Sequence, residues 1–153
     1  MTSFGYTLSS EEHGPRELVE NAGLAEAAGV GVGVTCPIVR VHPAIVAHAA
    51  ATTSVMLGDR FFLGVGTGEA LNEHVHGDRR PAPAIRREML EEAVGVMREL
   101  WTGDTVEHRG RHYEVENARI FDPPTVPIPV IVSGFGPEAA ALAGRIGDGY
   151  WGN

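Results

Sequence analysis

The 153-residue chain has a single cysteine, Cys36. That excludes an internal disulfide framework and a zinc site assembled from several cysteines. Basic side chains are also scarce: 12 stand against 20 acidic ones, a formal charge of −8. Such a surface gains nothing from counterion release or from attraction to anionic lipid, so neither nucleic acid nor membrane is an expected partner. The opening Met1-Thr2-Ser3-Phe4-Gly5-Tyr6 has neither the basic nor the apolar stretch of a secretory leader. No apolar run is long enough to cross a bilayer, and the longest, from Pro43 to Leu57, is broken by His48, Thr52, Thr53 and Ser54. Repeats and low-complexity segments are missing as well. A reduced, soluble, cytoplasmic protein is the expectation.

What remains is ordinary globular composition, 43% hydrophobic and 21% charged. The length suits one domain, though it falls short of the ~250 residues of a closed (β/α)₈ barrel. Glycines and prolines cluster at the ends of apolar runs, where they punctuate short elements.

Phe4 to Leu8 reads as a strand. From Pro15 to Ala28, Leu18, Val19, Ala22, Ala25 and Ala28 recur at helical spacing, and Gly29 ends the run. Val30 to Val34 then alternates as a strand, closed by Pro37. A second helix runs from His42-Pro43 through Met56, and Arg60 to Val65 is apolar enough for a parallel strand buried on both faces. After a loop from Gly66 to about Pro83 comes a long helix, Ala84 to Thr102, whose Glu88, Glu91, Glu92, Arg98 and Glu99 are expected to face solvent. Thr105 to Val115 reads as a hairpin around Arg109-Gly110, with His108 and His112 exposed. Asn117 to Pro127 is irregular; Pro129 to Ser133 is a strand, Glu138 to Ile146 a helix, and Tyr150-Trp151 the start of another strand.

This alternation predicts an α/β protein with a parallel sheet. Ligands in such folds bind beyond the carboxyl ends of the strands, which selects Thr35-Cys36-Pro37, Gly66 to Asn72 and Ser133 to Pro137. In the middle loop, Gly64-Val65-Gly66-Thr67-Gly68-Glu69, alternating glycines let backbone approach a flat ligand, and Glu69 is placed to move a proton. A plain glycine turn with a solvated glutamate would carry the same residues. It is not a dinucleotide fingerprint, because Glu69 stands where the third glycine is needed, and it lacks the Lys of a P-loop. Ser133-Gly134-Phe135-Gly136-Pro137 puts free amides at a helix start, suited to an anion or to an ordinary βα turn. His74 and His76 have a ligand-like spacing but no further donors follow, so no metal is expected.

The run Gly64 to Glu73, the helix ending Leu100-Trp101-Thr102-Gly103, the opening Gly5 to Glu11, Thr35-Cys36-Pro37 with His42 to Val46, and Arg145-Ile146-Gly147-Asp148-Gly149 together resemble the luciferase-like monooxygenase superfamily. The branch they resemble uses the deazaflavin coenzyme F420, and is typified by glucose-6-phosphate dehydrogenation. The resemblance implies that residues 1–153 form one domain, a partial (β/α)₈ TIM barrel of the bacterial-luciferase-like type. It implies hydride transfer between a small organic substrate and F420, with FMN as the alternative cofactor and a homodimer as the family's common assembly. Glu69 takes the part of the acidic residue that serves proton transfer at the deazaflavin. Gly33, Val34, Cys36, Gly66, Glu69, Asn72, Ser133, Gly134, Phe135 and Gly136 take positions that contact the cofactor. Gly33-Val34 matches a strand end where the family often has a non-prolyl cis peptide, and Cys36 stands where relatives usually have threonine.

Two departures qualify the activity. Ala28-Gly29-Val30 runs directly into Gly31-Val32-Gly33-Val34, where the family places a further strand–helix unit that supplies its catalytic histidine and tryptophan. The later barrel segments also have no counterpart. The expectation is therefore an internally deleted and C-terminally truncated form, which alone neither oxidises a sugar phosphate nor binds F420 tightly. A catalytically inactive barrel fragment is the alternative.

Overall fold

The computed structural model of the chain describes residues 5–7, 14–28, 31–37, 41–68 and 81–152. Strands and helices alternate as the change of hydrophobic period requires: β1 (Gly5–Thr7), α1 (Pro15–Ala27), β2 (Gly31–Pro37), α2 (Pro43–Met56), β3 (Phe61–Gly66) and α3 (Pro83–Leu100). A hairpin of β4 (Val106–Arg109) and β5 (Glu114–Ala118) precedes β6 (Val130–Ser133), α4 (Pro137–Ile146) and β7 (Gly149–Trp151). β1, β2, β3, β6 and β7 form one parallel sheet in that order, with β1 and β7 at its edges.

Helix α3 supplies most of the core because its apolar positions fall on one face. Leu90, Ala93, Val94, Met97 and Leu100 recur at three- and four-residue spacing, and all are buried. Pro83 fits the first turn, where its missing N–H costs nothing, and Arg98 in the last turn suits the negative end of the dipole. Val46, Ala47, Ala50 and Ala51 of α2 meet this face, and small side chains there let the helices approach. The Trp101 Nε1–H donates to the Ala47 carbonyl at 2.9 Å, tying the end of α3 to α2. Fully burying Leu90 or Met97 contributes about 2–3 kcal/mol each.

In β3, Phe61, Leu63 and Val65 are buried against this core, while Phe62 on the other face is only half-buried. Gly64 on that same face is buried, so β3 is covered on both faces, though less completely at Phe62. On α1, Leu18, Ala22 and Ala25 are half-buried, but Val19 is 73% exposed despite its place in the apolar pattern.

The hairpin departs most from expectation. Rather than facing solvent, the Glu92 side chain is 15% exposed and sits beneath the hairpin loop. Its Oε1 accepts the Tyr113 N–H at 2.8 Å and the His112 N–H at 3.1 Å, and lies 3.3 Å from His108 Nε2. His112 Nε2 lies 3.4 Å from Glu88 Oε2, so both histidines pack against α3 instead of standing free. Burial raises the Glu92 pKa, but the amides of Tyr113 and His112 and the contact with His108 outweigh it and leave the carboxyl below its ordinary value. Gly110 is needed here: a Cβ at that position would collide with the Glu92 carboxylate. The strand also runs on past Val115 to Ala118, with Val106 opposite Ala118.

Among the described residues no helix is long and apolar enough to cross a membrane.

Candidate functional site

The carboxyl ends of the central strands lie side by side. Pro37 pairs with Gly66, Gly66 with Ser133, and Ser133 with Trp151. Proline stops β2 because it has no amide to continue the ladder. Gly66 leaves a bare step between its neighbours, where a Cβ would come no nearer than 3.6 Å to Ser133. Two residues on, Gly68 has φ +72°, a left-handed conformation that favours glycine. At Gly66 and Gly68 the rim presents backbone that carries no Cβ, which suits the approach of a flat ring.

Arg86 holds the far side of this turn. It lies four residues before Leu90, on the buried face of α3, and is 8% exposed. Its Nη1 donates to the carbonyls of Thr67 at 3.1 Å and Gly68 at 3.0 Å, and its Nε donates to the Pro81 carbonyl at 3.1 Å.

The loop after β6 is fastened to β7. The Tyr150 hydroxyl donates to the Gly134 carbonyl at 2.7 Å, and the Gly134 N–H donates to the Trp151 carbonyl at 3.2 Å. Gly136 caps α4 with φ +88° and no side-chain hydrogen bond. The first turn of α4 carries Glu138, which is paired with Arg87. An anion at this helix start would thus meet a carboxylate already neutralised by a guanidinium. Phe135 is 66% exposed and Trp151 53% exposed, so two aromatic rings are open to solvent near the rim.

Of the residues singled out in the sequence, Gly66, Ser133, Gly134, Phe135 and Gly136 are brought to this end of the sheet, and Cys36 lies one residue below it beside Val65. Gly33 and Val34 are not at a strand end. They lie within β2, Gly33 paired with Thr7 and Phe62, and among the described residues no peptide bond is cis. The ladder with β3 continues past them to Pro37, so the strand end lies three residues beyond Val34. Glu69 and Asn72, like His74 and His76, lie outside the described residues. Among the described residues no cluster of three histidine, cysteine or acidic side chains could hold a metal. Sequence reasoning missed Arg86, although a charge on the apolar face of a helix was there to be read. It also missed the exposed Trp151 at the rim.

A family model described as luciferase-like monooxygenase matches residues 2–153. The chain is 36% identical to an F420-dependent glucose-6-phosphate dehydrogenase of Microbacterium testaceum (strain StLB037), over 96% of this chain and 55% of the relative. That match runs over 185 positions, whereas 96% of 153 residues is about 147, so about 38 positions of the relative have no counterpart here. The chain spans about half the length of the curated relatives it matches. Among solved structures it is similar to an F420-dependent secondary alcohol dehydrogenase in complex with an F420-acetone adduct, with TM-score 0.86 and 32% identity over 99% of this chain and 58% of the other. The oxygenating constituent of 3,6-diketocamphane monooxygenase from Pseudomonas putida, in complex with FMN, shares the fold at TM-score 0.72 and 17% identity, over 95% of this chain and 56% of that one.

Proposed function

The chain belongs to the luciferase-like monooxygenase family, its fold is part of that family's TIM barrel, and we propose that it serves F420-dependent hydride transfer involving a small organic substrate. The observation that carries this reading is the bare Gly66–Gly68 rim between Pro37 and Ser133, fixed from behind by Arg86. The names of two relatives, one for a sugar phosphate and one for a secondary alcohol, support an alcohol as the substrate class.

The residues at the rim fit a flat ring. Gly66 and Gly68 offer close backbone, and Ser133, Gly134, Phe135 and Gly136 flank the same end of the sheet. Cys36 would line the β2 side, and Asn72 would add a polar contact. When bound, F420 would supply the acceptor or donor of the hydride at C5. Glu69 would hold or release the accompanying proton, the task for which a carboxylate beside a ring is suited. The sequence has no Asp-His pair, so no residue here takes the place of the histidine expected of the family. We assign the chain accordingly as an incomplete form of such an oxidoreductase, one domain over residues 1–153. A homodimer, a cytoplasmic location and the absence of nucleic-acid and membrane partners belong to the same proposal, the last two supported by the charge of −8.

Titrating F420 and FMN separately against the purified chain tests this reading. F420 is expected to bind the better of the two, with a dissociation constant weaker than about 1 μM, and glucose 6-phosphate is expected not to reduce it. Tighter binding of FMN would overturn the choice of cofactor. Saturable micromolar F420 binding with bleaching of its absorbance band by a sugar phosphate would overturn the incompleteness.

A further inference from the structure

Arg86 does something that packing alone does not require. The positions four, seven and eleven residues beyond it are Leu90, Ala93 and Met97, all buried, so an aliphatic side chain at 86 would continue the core. A guanidinium is found there instead, and a buried guanidinium is costly unless its donors are matched. They are matched by backbone: the carbonyls of Thr67 and Gly68 on one side and of Pro81 on the other, with the Thr67 hydroxyl 3.4 Å away. Thr67 and Gly68 are the two residues that leave the rim at Gly66, and Pro81 lies two residues before α3 begins. One side chain therefore joins the exit of β3 to the entry of α3. It also meets the carbonyl of Gly68, the residue whose left-handed φ sets the direction of the turn.

We propose that Arg86 is a positioning residue of the cofactor rim: by fixing the carbonyls of Thr67 and Gly68 it holds the Gly66–Gly68 backbone at the level on which a flat ring rests. The inference rests on the F420 reading for the identity of the ring, while the clasp itself stands on the geometry. The planar fork of arginine is what serves two elements at once. Lysine keeps the charge and most of the stem, but as a point charge it cannot reproduce that fork.

Arg86→Lys and Arg86→Gln in the full chain test the proposal with two readouts. The first uses no cofactor: amide resonances of Gly66, Gly68 and Ser133 are expected to move in both variants, while those of Ala50 and Val115 hold. The second is F420 itself, titrated by fluorescence and then held at saturation. Affinity is expected to fall about tenfold or more in Arg86→Gln and by less in Arg86→Lys. The absorbance band of the bound cofactor is expected to move toward that of free F420 in Arg86→Lys, at an unchanged melting temperature. Arg86→Lys keeps the test decisive if Arg86→Gln does not fold. Unmoved rim amides would overturn the clasp. Moved amides with wild-type affinity and an unshifted band would overturn the positioning role and leave Arg86 a strut. If wild-type chain fails to bind F420 at any concentration while the amides move, the cofactor reading falls, and the role assigned to Arg86 at that ring falls with it.

Discussion

Arg86 and Glu92 lie less than two turns apart on α3, and each uses a charge on a helix to organise backbone that is not helical. Arg86 gathers carbonyls at the sheet rim; Glu92 gathers amides in the hairpin loop. Each satisfies polar groups that would otherwise be left without partners away from water. The difference lies in how each responds to its surroundings. A guanidinium stays charged at any pH that leaves the protein folded, so the donor of the rim clasp does not titrate. The hairpin is held by a carboxylate with histidines on either side, and its grip depends on pH. The part of the chain that faces a ligand is fixed by the charge that does not titrate.

The largest effect should come from breaking the rim clasp. Arg86→Met keeps the stem and removes the donors that meet the Thr67, Gly68 and Pro81 carbonyls, and should lower unfolding stability by about 3 kcal/mol or more in a urea titration. Glu92→Ala should cost about 2–3 kcal/mol in the same measurement, since the Tyr113 and His112 amides lose their acceptor. A smaller loss in the arginine variant than in the glutamate variant would reverse the ranking of the two clasps.

Acid sharpens the contrast further. Because the folded Glu92 carboxyl lies below its ordinary value of 4.5, its contribution is complete above that value. It is lost as pH falls from there through the lower folded value, where both states become protonated. The stability difference between wild type and Glu92→Gln should therefore shrink on going from pH 6 to about pH 3. The difference between wild type and Arg86→Met should change less over the same range, since the guanidinium and the carbonyls it meets do not titrate there. Parallel curves for the two variants would refute the assignment.

The smallest effect belongs to the tyrosine at the edge of the hairpin clasp. Among the described residues its hydroxyl is the buried side-chain group without a hydrogen-bond partner. Burial and then the nearby Glu92 charge push its pKa up to about 12. Removing an oxygen that has no partner should cost little, so Tyr113→Phe should be neutral or stabilising by up to about 1 kcal/mol by thermal melting.

Much of the fold was legible because it is written in periods: the switch from helical spacing to strand alternation places α2, β3 and α3, and the start of β2, within two residues. The place of Gly66 at the end of β3 was legible because glycines follow the apolar run there. Arg86 was legible in principle, being a charge on an apolar stripe. Glu92 was not, since it sits beside the stripe at a position that ordinarily faces water, and only a hairpin arriving from 20 residues downstream encloses it. Gly33 and Val34 were misjudged for a related reason. Their strand runs on past the alternating residues through Thr35 and Cys36 to Pro37, paired all the way with β3, so the alternation ends before the ladder does.

The direct pairing of β1 with β2, Gly5 beside Gly31, carries a lesson about how such proteins change. A barrel is a ring of interchangeable modules, each entering and leaving with the same direction and hand. Excise one whole module and the strands on either side of the gap still face each other in parallel, ready to form the same ladder. Cut through the middle of one and a strand is left without its helix. The ladder from Gly5 to Thr7 therefore forms in the same direction whichever module stands between, and the parallel order of the sheet alone does not reveal what has been removed.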